Sequence, residues 1–92
     1  MEGHATISAD ILGRYAADAA REVAGIRTLV GRRAVRVSED EGRVTVELHV
    51  GVEWGAAIPA VGRAVQERVR AYLERMTDLE LAAVNVVVDE IA

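Results

Sequence analysis

With 92 residues, the chain has room for one self-supporting core and not for two. Hydrophobic residues make up 51% of it and charged residues 28%, a balance that supports a packed interior and excludes a disordered chain. Cysteine is absent, which excludes disulfides, thiolate zinc sites and cysteine nucleophiles, and the formal net charge of -4 works against general attraction to nucleic acid or anionic lipid.

The N-terminus, Met1-Glu2-Gly3-His4-Ala5, lacks the basic stretch and apolar run of a secretory signal, so the expected location is the cytoplasm. No apolar segment reaches the roughly 18 residues that span a bilayer, because Asn85 and Asp89 interrupt the Val-rich C-terminus. Direct membrane insertion is therefore not expected, and any membrane association has to run through a partner. All eleven basic residues are arginine, which we read as the codon usage of a GC-rich genome.

In chain order, Thr6-Ile7 offers a short extra N-terminal strand, and Ser8 then stands as the N-cap of a helix over residues 9–24. Leu12, Tyr15, Ala16, Ala19 and Val23 recur at three- and four-residue intervals, Asp10 suits the positive first turn, and Gly25 suits a left-handed terminus. Residues 26–31 read as a connector. Ala34 to Ser38 alternates as a strand, and the acidic Glu39-Asp40-Glu41 followed by Gly42 marks a turn.

The second arm of that hairpin has the clearest period in the chain. Val44, Val46, Leu48, Val50, Val52 and Trp54 share one face, and Thr45, Glu47, His49, Gly51 and Glu53 share the other. Trp54, the last of the apolar set, is expected to be packed. Gly55 breaks the strand, and Pro59 fits the first turn of a helix running to about Thr77, whose stripe is Ile58, Val61, Val65, Val69, Tyr72, Leu73 and Met76. Leu79 to Ile91 closes the chain as a strand, with Val84, Val86 and Val88 facing inward.

The order α-β-β-α-β implies one α+β domain over residues 1–92. The second and third strands are joined by a helix and should run parallel through a right-handed crossover. The result is a two-layer sandwich, with a three-stranded mixed sheet and both helices on one face. The other face then has no helix of its own chain to cover it. It carries Arg36, Glu47, His49, Asn85, Val87 and Ile91, in which exposed apolar residues in a polar strand face can seed an interface with a second copy or a partner.

Reactive chemistry is sparse. His4 and His49 are too few for a protein metal site unless carboxylates join them. Glu47, His49 and Glu53 share a strand face, but a flat face lacks the concavity that excludes water. Ser8 is a cap, Ser38 has no nucleophile elbow around it, and the glycines form no phosphate-binding loop. No cofactor is expected. Arg27 to Arg36 is the densest basic stretch, and through Arg32, Arg33 and Arg36 it supports an alternative reading as a nucleic-acid-binding regulator. That stretch has no interleaved aromatic, and Glu67 and Glu74 balance the helix arginines, so nucleic acid is not the expected partner. A small-molecule-binding or accessory enzyme subunit is a second alternative, which requires a deep polar pocket between helices and sheet.

The segments Val44-Thr45-Val46, Leu48-His49-Val50, Val52-Glu53-Trp54-Gly55, Ile58-Pro59, Val65-Gln66, Met76-Thr77, Leu79 and Val84-Asn85-Val86 together resemble the alkaline shock protein family. Glu22-Val23-Ala24-Gly25-Ile26 fits the same pattern, and the likeness covers nearly the whole chain. Three departures stand out: Trp54 replaces a frequent Tyr, Asp78 stands where Gly is common, and the charged tails of many relatives are missing. The resemblance implies a protein without catalytic residues, tied to general and cell-envelope stress in mostly Gram-positive bacteria. It also implies a cytoplasmic, self-associating protein held near the membrane by a small membrane-anchoring partner.

Overall fold

The computed structural model describes residues 8–29 and 34–92; the short strand expected at Thr6-Ile7 lies outside them. Helix α1 (Ala9–Arg21) starts where its cap predicts, the N–H of Ile11 donating to Ser8 Oγ at 3.2 Å. It stops earlier than the apolar spacing suggests. The N–H of Glu22 reaches back to the carbonyls of Ala19 and Ala20, and Gly25, at φ 97°, turns the chain into the sheet.

The expected connector is in part a strand. β1 (Ile26–Leu29) runs antiparallel to the far end of β3 (Arg43–Val52), with Ile26 opposite Val52 and Leu29 opposite Val50. Four residues are too few to display a period of two. β2 (Val35–Asp40) joins β3 through a two-residue turn in which Glu41 and Gly42 both have positive φ, 53° and 80°, as tight hairpin turns require. Its register runs from Val35 opposite Leu48 to Asp40 opposite Arg43.

β1 and β2 therefore lie in tandem along one edge of β3. β4 (Glu80–Ile91) pairs parallel along the other, after the crossover through α2 (Ile58–Met76). The mixed sheet has three lanes, as expected, but four strands. Both helices cover one face. Val44, Val46, Leu48, Val50 and Val52 alternate onto it and meet Leu12, Ala16, Ala19 and Ala20 of α1 and Val61, Val65, Val69 and Leu73 of α2. Small alanines on α1 let the helices approach closely, and the rings of Tyr15 and Tyr72 meet edge-on at 5.9 Å. Met76, the last residue of the expected stripe, is exposed because the helix ends there.

β4 is an edge strand, and α2 guards part of it. Gln66 Nε2 donates to the carbonyl of Val84 at 3.1 Å and Arg70 to that of Leu81 at 3.4 Å, occupying acceptors that a stray strand would otherwise use. Two bulges interrupt its pairing. Val44 opposes Leu81 while Thr45 opposes Ala83, and Val50 opposes Val88 while Gly51 opposes Glu90, so Ala82 and Asp89 are the extra residues.

Trp54 is not packed. β3 ends at Val52, and the chain turns immediately: the N–H of Glu53 donates to the carbonyl of Gly25, that of Trp54 to Ala92, and Gly55 has φ 91°. The alternation that places Trp54 inward thus ends two residues before it, and its side chain is 83% exposed.

Candidate functional site

On the face of the sheet away from the helices, the pairing registers assemble most of the expected residues into two adjoining rows. Arg36, Glu47 and Asn85 stand side by side across β2, β3 and β4, and His49 stands beside Val87 in the next row. Among the described residues no helix or strand covers this face. Ile91 is the exception: the bulge at Asp89 reverses the alternation beyond it, so Ile91 opposes the inward-facing Val52. One extra residue flips every later side chain, which moves Ile91 off the proposed face.

His49 is the centre of the best-defined polar cluster on this face. Its Nε2 is 2.6 Å from Glu47 Oε2 and its Nδ1 is 2.7 Å from Asp89 Oδ2. Carboxylates at both nitrogens require both to carry protons, because neutral imidazole has a single N–H to donate. The hydrogen bond to Glu47 contributes most to raising the His49 pKa above its ordinary 6.5, followed by that to Asp89, while partial burial opposes them. Glu47 reaches His49 from the same strand two residues away. Asp89 reaches it across the parallel pair.

Sequence reasoning places Glu47 and His49 together but misses Asp89. Period two puts Asp89 on the face of Val87, but a parallel register between segments 40 residues apart cannot be read from the chain. Glu53, expected on the same face, falls beyond the end of β3. His4, Arg32 and Arg33 lie outside the described residues. Chemically, the His49 cluster is closed: each ring nitrogen faces a carboxylate, and no group of three or more metal-binding side chains among the described residues is arranged to hold an ion.

The space between helices and sheet is filled by the aliphatic core. A shallow open groove of about 380 Å³ runs along α1, lined by Asp10, Arg14, Asp18, Arg21, Leu29 and Val35 among others. No described helix is long and apolar enough to cross a membrane.

Comparison with known proteins agrees with this architecture. The chain is 29% identical to the protein YqhY of Bacillus subtilis (strain 168) over 99 residues, covering 91% of this chain and 73% of that one. It is 27% identical to Spy1535 of Streptococcus pyogenes serotype M6 over 62 residues, covering 67% of this chain and 48% of that one. Among solved structures, a zinc form of the MamM CTD superposes with a TM-score of 0.69 at 18% identity, covering 88% of this chain and 84% of that one. A histidine-to-alanine variant of the same CTD gives 0.74 at 17% identity, covering 92% and 99%. At these identities the structures establish the fold alone. The sequence pattern of the alkaline shock protein family, whose described function is cell envelope-related, matches residues 1–92 throughout. The chain belongs to that family.

Proposed function

We propose that this chain is a non-enzymatic, cytoplasmic interaction module in cell-envelope maintenance or stress response, working by self-association and by docking to a small membrane-embedded partner. The observation that carries the reading is the uncovered sheet face, where Arg36, Glu47, His49, Asn85 and Val87 stand together. A half-exposed valine ringed by charged and amide groups has the composition of a small interface: an apolar centre with a polar rim. Against an enzymatic role, the one histidine on that face has both nitrogens occupied by carboxylates, and the face is open to water. Membership of an envelope-related family supplies the cellular setting.

Site-specific photo-crosslinking in the native host tests it. A crosslinker at Val87 should capture a second copy of the chain and a small membrane protein, and one at Ala71, on the exposed side of α2, should capture neither. Equal capture at both positions, or capture of soluble enzymes alone, contradicts the proposal. A gel-shift series settles the nucleic-acid alternative: sub-micromolar binding that weakens steeply with salt would replace the present reading.

A further inference from the structure

We propose that the free edge of β4 at Val86 and Val88 is a docking slot for one extended segment of a partner protein, which adds a fourth lane to the sheet beneath the flank of α2 and carries basic residues on its outer side. The slot works through backbone groups and stands or falls apart from the contact role of the outer sheet face. The N–H of His49 donates to the carbonyl of Ala34, so the backbone of His49 faces β2 while that of its β4 neighbour, Val87, faces β3. Alternation then turns the N–H and C=O of Val84, Val86 and Val88 away from the sheet, and the carbonyl of Val84 is indeed free to accept from Gln66.

The guard on that edge stops one turn short. Arg70 and Gln66 of α2 cover the carbonyls of Leu81 and Val84, so α2 runs antiparallel to β4. Four residues further back, about 6 Å along the helix and about two residues along the strand, the same flank carries Gly62. A Cβ at Gly62 would meet nothing within 4 Å, and its φ is not among the positive ones, so neither packing nor backbone geometry calls for glycine inside this helix. Val86 and Val88 thus keep two N–H and two C=O groups without a guard from α2. The usual deterrents are missing as well: residues 81–88 contain no charge and no proline, and residues 83–88 pair regularly between the two bulges.

The width of the two layers says what fits. Two packed helices are about 20 Å across and three strands about 14 Å, which is why the side chains of α2 can reach round the edge of β4. One bare strand fills the shortfall. A second copy does not: pairing β4 antiparallel with its twin brings another overhanging α2 into the same space, and a two-fold pairing of parallel strands sets N–H against N–H. Side chains of the added strand that stand beside the partly buried Val86 and Val88 lie under α2 at Gly62 and suit small β-branched residues. Those beside Val87 lie on the outer side. There Glu47, Asp89 and Glu90, whose Oε1 would be 3.3 Å from a Cβ on Gly51, outnumber the cations Arg36 and His49, so basic residues suit that side.

The probe is a short capped peptide alternating valine and arginine, and the readout is amide hydrogen exchange followed by nuclear magnetic resonance. In the free protein the amides of Asn85 and Val87 should be protected and those of Val86 and Val88 should exchange fast. The peptide should slow exchange at Val86 and Val88 about tenfold. Gly62→Gln restores the missing guard and, with open space at its Cβ, should fold at least as stably as wild type and bind the peptide about tenfold more weakly. A peptide alternating valine and glutamate, and a valine–arginine peptide N-methylated along its edge-facing amides, should both fail to bind. No protection by the first peptide, equal binding of either control, or full binding by Gly62→Gln would each overturn the slot. Protection of Val86 and Val88 that grows with protein concentration in the absence of peptide would overturn it too, by making a second copy the occupant. Crosslinking at Val87 judges the outer face separately, whatever the peptides do.

Discussion

Gly25 stands against Val61 so closely that a Cβ on the glycine would lie 2.8 Å from Val61 Cγ2. The contact joins the exit of α1 to the first turn of α2, and an ion pair between Glu22 and Arg68 at 2.6 Å bridges the same two elements. Gly25 also has φ 97°, a region that L side chains rarely enter. Gly25→Ala should therefore destabilise the fold by about 2–4 kcal/mol, strain and overpacking together, as read by urea denaturation. Gly42→Ala, at φ 80° with open space around its Cβ position, should cost less because only the backbone strain remains.

Leu48 and Trp54 provide a matched pair of truncations with opposite expectations. Leu48 is fully buried at the centre of β3, so Leu48→Ala should cost about 2–5 kcal/mol, a large part of the stability of a domain this small. Trp54 projects from the turn after the same strand, and Trp54→Ala should change stability by less than about 0.5 kcal/mol. Because Trp54 is the single tryptophan, native fluorescence reports it alone and should show the emission of an indole in water. Blue-shifted emission in the monomer would place Trp54 in a packed environment and contradict the turn geometry.

These two residues also show what the sequence makes legible. The alternation from Val44 to Val52 is written in the chain because one face is dry, and it identifies the buried set directly. Nothing in a period of two says where the period stops, and Trp54 continues the pattern past the strand's end. Ser8 and Pro59 locate the helix starts because capping and proline chemistry are local. β1 and the two bulges of β4 are invisible in the chain, since each exists only through its pairing with β3. The same limit explains the site: Arg36, Glu47, His49, Asn85 and Val87 follow from alternation, Ile91 is misplaced by a bulge, and Asp89 joins the cluster through a register set by tertiary contacts.

The His49 bridge makes stability depend on pH in a definite direction. Its pKa is raised in the folded state, first by Glu47 and then by Asp89. The stabilisation it gives is therefore fully present below the unfolded value, about 6.5, and is lost as pH rises through the folded one. The melting temperature of wild type should fall relative to that of His49→Gln as pH is raised above about 6.5, and the two should run parallel below it. A constant difference across the whole range would mean that the imidazole is not held by the two carboxylates in solution.

The proposed function depends on the outer sheet face acting as a contact surface, and light scattering over a concentration series, at a pH below the His49 midpoint, tests that most directly. Wild type is compared there with a Val87→Glu, His49→Glu double variant, both substitutions lying in one cross-strand row on that face. Circular dichroism of the two proteins confirms that the fold is kept. Wild type should gain mass with concentration, and the variant should stay smaller with the same spectrum. Equal assembly of the two proteins, or a wild type that remains monomeric at the highest concentration and binds no partner, would contradict a contact role for this face.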